Sequence, residues 1–166
     1  MKYYFKENFH LLYASGQLYD SNDQVAYSYE NTTVMFPEID LFYRGRRVGH
    51  VKKNFSLFLR NYDIYVGDEL EDSLQQELTL FRPSLYLERR GWTISGDFFA
   101  LNYEIRDSGG KIICEVNQEM FRLTRRYYVD VRDESQETFI ILLVLAINQF
   151  DKDSASSAHS SSSHHN

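Results

Sequence analysis

Phe139-Ile140-Ile141-Leu142-Leu143-Val144-Leu145-Ala146-Ile147 is nine apolar residues without a break. Just before it, Asp133 followed by Gln136, or Ser135 itself, can cap the start of a helix. Glu134 and Glu137 suit the positive end of the helix dipole. No turn residue interrupts the run, and the pattern reaches Phe150, so a helix is predicted over about residues 134–150. Successive helical side chains step by about 100°, so the apolar run covers every face and leaves no polar side for water. A membrane span needs about 20 apolar residues. This run is shorter and has acids on both flanks, with Asp151 and Asp153 beyond it, so no transmembrane segment is expected. The remaining home is the protein interior, where each large side chain contributes about 1.5–3 kcal/mol.

The rest of the chain must therefore enclose this helix, and it reads as strands. Residues 1–133 are short apolar or aromatic runs broken by turn signals. Polar or Gly-rich residues mark reversals at Asp20-Ser21-Asn22-Asp23-Gln24, Arg44-Gly45-Arg46-Arg47, Val66-Gly67-Asp68-Glu69 and Asp107-Ser108-Gly109-Gly110-Lys111. Tyr62–Val66 and Tyr127–Val131 alternate at period two, with Tyr, Ile or Val on one face. The two alternating runs belong to an internal repeat. VGHVKKNFSLFLRNYDIYV at 48–66 aligns with ICEVNQEMFRLTRRYYVDV at 113–131, with Val51, Arg60, Tyr62 and Val66 matching Val116, Arg125, Tyr127 and Val131. LQQELTLFRPSLYL at 74–87 aligns with 51–64 as a third copy, matching Leu57 and Phe58 with Leu80 and Phe81. The repeated unit is strand, bend, strand, which predicts one hairpin type used several times around a closed or nearly closed sheet.

Composition agrees. The 166 residues suit one domain, and 43% are hydrophobic, enough for a core without staples. The 13 Tyr and 12 Phe favour pleated, half-buried surfaces. A net charge of −6 argues against a general nucleic-acid binder, which needs a basic footprint, and leaves room for a local basic patch. The single cysteine, Cys114, rules out an internal disulfide and suits a reducing compartment, and the first residues lack the apolar core of a signal peptide. A cytoplasmic location is expected. Residues 154–166, SASSAHSSSSHHN, contain no large apolar side chain and are expected to form a disordered tail after a domain at 1–153.

Several segments together carry a family pattern: Leu18–Tyr27, Val48–Tyr65, Leu80-Phe81-Arg82-Pro83, Gly91-Trp92-Thr93-Ile94-Ser95-Gly96-Asp97-Phe98-Phe99-Ala100-Leu101-Asn102-Tyr103-Glu104-Ile105 and the terminal helix. Over about residues 1–150 the chain resembles the tubby C-terminal-like superfamily, and within it the LURP-one-related group, distant relatives of phospholipid scramblases. The resemblance implies a mainly β fold, a closed antiparallel barrel of about twelve strands around a central hydrophobic C-terminal helix. It also implies a link to anionic phospholipids, since tubby proteins bind phosphoinositides. No lipid-binding residue carries over, because no matching motif is present here.

The residues point to no catalysis. No P-loop, GxGxxG, GxSxG or CxxC occurs, and His10 and His50 sit in no recognisable metal or triad motif. No cofactor and no metal ligand is expected; His159, His164 and His165 are read as part of a solvated tail. Cys114 follows Ile112-Ile113 on a strand and reads as a buried structural thiol. Asp97 reads as a turn carboxylate and Trp92 as core. The one electrostatic feature is Arg44, Arg46, Arg47, His50, Lys52 and Lys53, a stretch without an acid in an acidic chain. Arg122, Arg125 and Arg126 occupy the repeat-equivalent bend, and if the two bends are neighbours the clusters join. These basic residues are either a solvated hairpin face or a patch for anionic headgroups, each cation near such a surface being worth about 1 kcal/mol. The expected function is a non-enzymatic binding module for anionic phospholipid or another phosphorylated ligand at a membrane surface. The alternative is an interaction or scaffold domain whose partner is a protein.

Overall fold

The computed structural model describes residues 1–6, 15–32, 38–55, 60–77, 84–121 and 124–160. The first six strands are β1 (Lys2–Lys6), β2 (Ser15–Tyr19), β3 (Val25–Asn31), β4 (Glu38–Tyr43), β5 (Arg46–Phe55) and β6 (Arg60–Val66). The next six are β7 (Glu69–Glu77), β8 (Ser84–Leu87), β9 (Thr93–Asp97), β10 (Asn102–Arg106), β11 (Ile112–Phe121) and β12 (Thr124–Val131). A 3-10 turn (Glu134–Gln136) leads into α1 (Glu137–Ser160). Each strand pairs antiparallel with its chain neighbours, and β1 pairs with β12, closing a twelve-stranded barrel.

The helix fills that barrel. Every residue from Ile140 to Ile147 is 0% exposed, as is Phe150, so all faces of the helix are covered. Its walls come from around the ring: Phe139 meets Trp92 edge to face, and Phe150 meets both Tyr62 and Phe98. Inward residues of the strands complete the core at period two, for example Ile39 and Leu41, Tyr62 and Ile64, and Tyr127, Val129 and Val131. Gly49 shows how closely helix and sheet approach. A Cβ there would lie 2.3 Å from the Tyr65 carbonyl oxygen and 2.7 Å from Leu142 Cδ1.

Polar latches fix both ends of the plug. At its start, Tyr3 and Tyr27 each donate a hydrogen bond to Glu137 Oε1, at 2.7 and 2.6 Å. Burial, and the Glu137 carboxylate they bond, push both phenols above their ordinary pKa, so both stay O–H donors. Arg90 reaches Glu71 at 2.5 Å and Gln136 at 2.9 Å while lying over the Phe139 ring at 4.1 Å. Further along, Asp153 accepts from Lys53, from Tyr62 at 2.7 Å and from Gln149 at 2.9 Å.

Asp133 caps the 3-10 turn that leads into α1, its side chain accepting from Ser135 N; Gln136 instead accepts from Arg90. The expected helix end near residue 150 is corrected: α1 runs on to Ser160, into the stretch expected to be a tail. Neither Gly nor Pro interrupts 137–160, and Ser154 Oγ bonds back to the Phe150 carbonyl. Residues 161–166, with His164 and His165, lie outside the described residues.

The repeat in the sequence is a repeat in space. Val51 pairs with Ile64, Leu74 with Leu87 and Val116 with Val129, so all three copies share one register and bury the same pair. The matched Leu57, Phe58, Leu80 and Phe81 lie outside the described residues.

Two substitutions test the plugged barrel. Leu143→Asp should yield no soluble folded protein, because an unpaired buried carboxylate costs several kcal/mol; a wild-type-like melting curve would refute burial. Gly49→Ala should lose at least about 1–3 kcal/mol in urea denaturation, through overpacking against the Tyr65 carbonyl and Leu142.

Candidate functional site

The basic stretch falls on the β4–β5 hairpin. Its turn needs positive φ at both central residues, and Arg44 (φ 50°) and Gly45 (φ 77°) supply it. Glycine does so freely, but arginine does not; Asn or Gly would relieve the backbone at position 44. A bulge follows. Leu41 faces Gly49 but Phe42 faces Arg47, leaving Val48 as the extra residue. The bulge changes which face each cation takes. Simple alternation would set Arg47 and His50 on opposite faces. The register instead puts Arg47, His50 and Lys52 on the outer face with Glu38 and Asp40, opposite the buried Ile39 and Leu41.

The structure divides the expected cations into three groups. Arg47 is committed to acids: its Nε bonds Asp40 Oδ1, and it lies 3.5 Å from Glu38 and 3.6 Å from Asp68. Lys53 belongs to the Asp153 latch that holds the helix. Arg44, Arg46 and Lys52 are exposed, and no carboxylate among the described residues pairs with them. Arg44 lies over the ring of Tyr43 at 5.2 Å.

The second cluster does not join the first. Arg126 sits on β12, over the Tyr4 ring at 5.0 Å, and the shorter way round the barrel from β12 to β5 crosses β1, β2, β3 and β4. Arg125 lies in β12 opposite Met120, and Arg122 is outside the described residues. The repeat that made the two bends equivalent also separates them: β5 recurs as β11, six places round a ring of twelve.

Two features beside the hairpin escaped the sequence reading. A cleft of about 550 Å³ opens at the start of the helix, lined by Tyr27, Tyr43, Glu71, Arg90 and Glu137 among others. On the outer face, Glu38, Asp40 and His50 bring one ligand-type atom each to within 4.8 Å of one another. The His50 ring stacks parallel on Tyr65, centroids 4.3 Å apart. Burial and the Arg47 cation hold its pKa below the ordinary value, and its Nδ1 is buried without a hydrogen-bond partner. The signal that could have found the trio is Glu38-x-Asp40 on one strand of a hairpin whose return strand carries His50.

The remaining candidates are structural. Trp92 is buried against Phe139, and Asp97 accepts from Ala100 N at 3.0 Å, closing a turn. Cys114 is fully buried between neighbouring strands, and burial pushes its thiol up to about 12. Native protein should therefore resist iodoacetamide at pH 8 and react once unfolded in guanidinium; rapid native alkylation would contradict the burial.

Among the described residues no helix is long and apolar enough to cross a membrane. No curated protein matches the chain. An X-ray structure of a protein from Arabidopsis thaliana is similar in fold, with a TM-score of 0.55 over 89% of this chain and 91% of that one. The two are 8% identical, so the likeness speaks for the fold alone. The pattern of the LURP-one-related family matches residues 1–148, from the first strand through the apolar run of the helix. With its plugged twelve-stranded barrel, this chain belongs to the LURP-one-related family.

Proposed function

We propose that the domain is a non-enzymatic binding module that docks on anionic phospholipid headgroups through the tip of the β4–β5 hairpin. The helix occupies the barrel interior, so a ligand must be met on the outer surface or the rims. The observation that carries the reading is the state of Arg44 and Arg46. Both are exposed, neither has a carboxylate partner among the described residues, and Arg44 holds a left-handed φ that costs arginine about 1 kcal/mol. Backbone strain under an unpaired cation is what a binding contact would maintain against stability. Tyr43, 38% exposed beneath Arg44, adds an aromatic of the kind that settles at a lipid interface. The net charge of −6 does not oppose a local patch, since surface fields decay over about 8 Å at physiological salt. Asp68, on the next turn, is engaged by Arg47. Lys53 and Arg47 drop out of the binding set because their charges are already matched; Lys52 adds to it from the outer face.

Co-sedimentation with vesicles of phosphatidylcholine, with and without phosphoinositide, tests this. Binding should require the anionic lipid and weaken steeply as salt rises. Reversing Arg44 and Arg46 to Glu should cut it by more than about tenfold, each cation being worth about 1 kcal/mol. Stability should change by less than about 0.5 kcal/mol. Arg44→Asn should weaken binding while raising stability, because Asn tolerates the left-handed backbone. Equal binding by wild type and the double reversal would remove this site. No binding by either would favour a protein partner.

A further inference from the structure

We propose that Glu38, Asp40 and His50, on the outer face of the β4–β5 hairpin, form a three-ligand site for a divalent transition-metal ion such as zinc. The sheet itself assembles the trio. Asp40 and His50 are direct cross-strand partners, and Glu38 is two residues before Asp40, on the same face. Their ligand-type atoms all lie within 4.8 Å of one another. His50 Nε2 stands 3.6 Å from Glu38 Oε1. That is too long for a hydrogen bond. It is close to the spacing of two ligands on one ion, since two bonds of about 2.1 Å at a tetrahedral angle set their donor atoms about 3.4 Å apart.

The donor set is the right kind. One imidazole with two carboxylates supplies N and O ligands with a charge of −2, matching a divalent cation, and three protein ligands leave a fourth position for water. The set is also held in place. The imidazole is clamped flat against Tyr65, with 4° between the ring planes, and is only 12% exposed. Asp40 sits inside the ladder and Glu38 opens the same strand, paired across it with Lys52, so both carboxylates are carried by a strand rather than a loop.

Two cations compete for the place. The Arg47 guanidinium bonds Asp40 and approaches Glu38, balancing the carboxylates when no metal is bound. It already has somewhere to go, since its Nη1 lies 3.6 Å from Asp68, a side chain 97% exposed. Lys52, across the ladder from Glu38, is the second. Metal binding is thus an exchange of one cation for another. Removing Arg47 should tighten it.

The Ser/His tail could take up metal by itself, so the test is made in the full chain with His159, His164 and His165 changed to Ala. Calorimetric titration with zinc should give one ion per chain. Adding His50→Ala, Glu38→Gln or Asp40→Asn should each weaken binding by more than about tenfold. Arg47→Met should strengthen it. Thermal melts of the metal-free variants separate lost ligation from lost folding, and Glu38→Gln, which keeps shape and hydrogen-bonding capacity, is the decisive variant if His50→Ala proves unstable. Cobalt(II) in place of zinc should show the intense visible absorption of a four-coordinate site, absent in Glu38→Gln. No zinc uptake in the tail-substituted chain would overturn the proposal, as would uptake unchanged by folded His50→Ala and Glu38→Gln.

Discussion

A helix without a polar face is the constraint on which the rest of this structure depends. Phe139–Ile147 presents apolar side chains in every direction, so the segment needs a wall on every side. An open sheet covers one side of a helix; a closed barrel covers all of them and also leaves no strand edge unpaired. The plug then dictates local detail in the wall. Gly49 is side-chain-free where Leu142 presses on β5, and Trp92 turns its edge to Phe139. Because apolar contact sets no axial position, the ends carry the directional bonds. Tyr3 and Tyr27 hold Glu137, and Lys53 and Tyr62 hold Asp153, so the helix cannot slide without stranding a carboxylate.

The wall is one hairpin used repeatedly. Val51 with Ile64, Leu74 with Leu87 and Val116 with Val129 are the same buried pair in three places. A slip of one residue would turn each of these pairs outward, so burial against the helix holds the register. Repetition around a ring also places equivalent segments far apart. The basic bend near β5 and its counterpart near β12 are therefore two features on different sides of the molecule, not one surface.

With the interior occupied, chemistry moves to the outside, and the β4–β5 hairpin divides it between its tip and its face. The tip holds Arg44, on strained backbone, and Arg46, both without carboxylate partners among the described residues. The face holds Glu38, Asp40 and His50 with Arg47 folded over them. One bulge at Val48 creates this division, since it brings Arg47 onto the side of Asp40 and His50.

The fold was legible in the sequence because its determinants are local. An unbroken apolar run, period-two alternation, turn residues at Asp20–Gln24 and Asp107–Lys111, and a repeat of constant hairpin length each say what a short segment must do. Burial of Cys114 and Trp92 was legible for the same reason. The helix end was not, because serine and alanine neither forbid a helix nor demand one. The candidate sites were legible only in part. A run of basic residues is visible in the sequence, but whether each charge is free depends on what faces it across the barrel. Lys53 meets Asp153 from the far end of the helix, and Arg47 meets Asp40 through a bulge that no residue type announces. The Glu38, Asp40 and His50 trio was invisible for the complementary reason, since cross-strand register, not proximity in the chain, brings its members together. The sequence by itself determined which segment must be enclosed and by what kind of wall, because hydrophobic burial is set by composition and period. Only the tertiary structure decided which charges are spent holding that wall together and which are left without a carboxylate beside them among the described residues, because pairing between charges depends on distance and register in space.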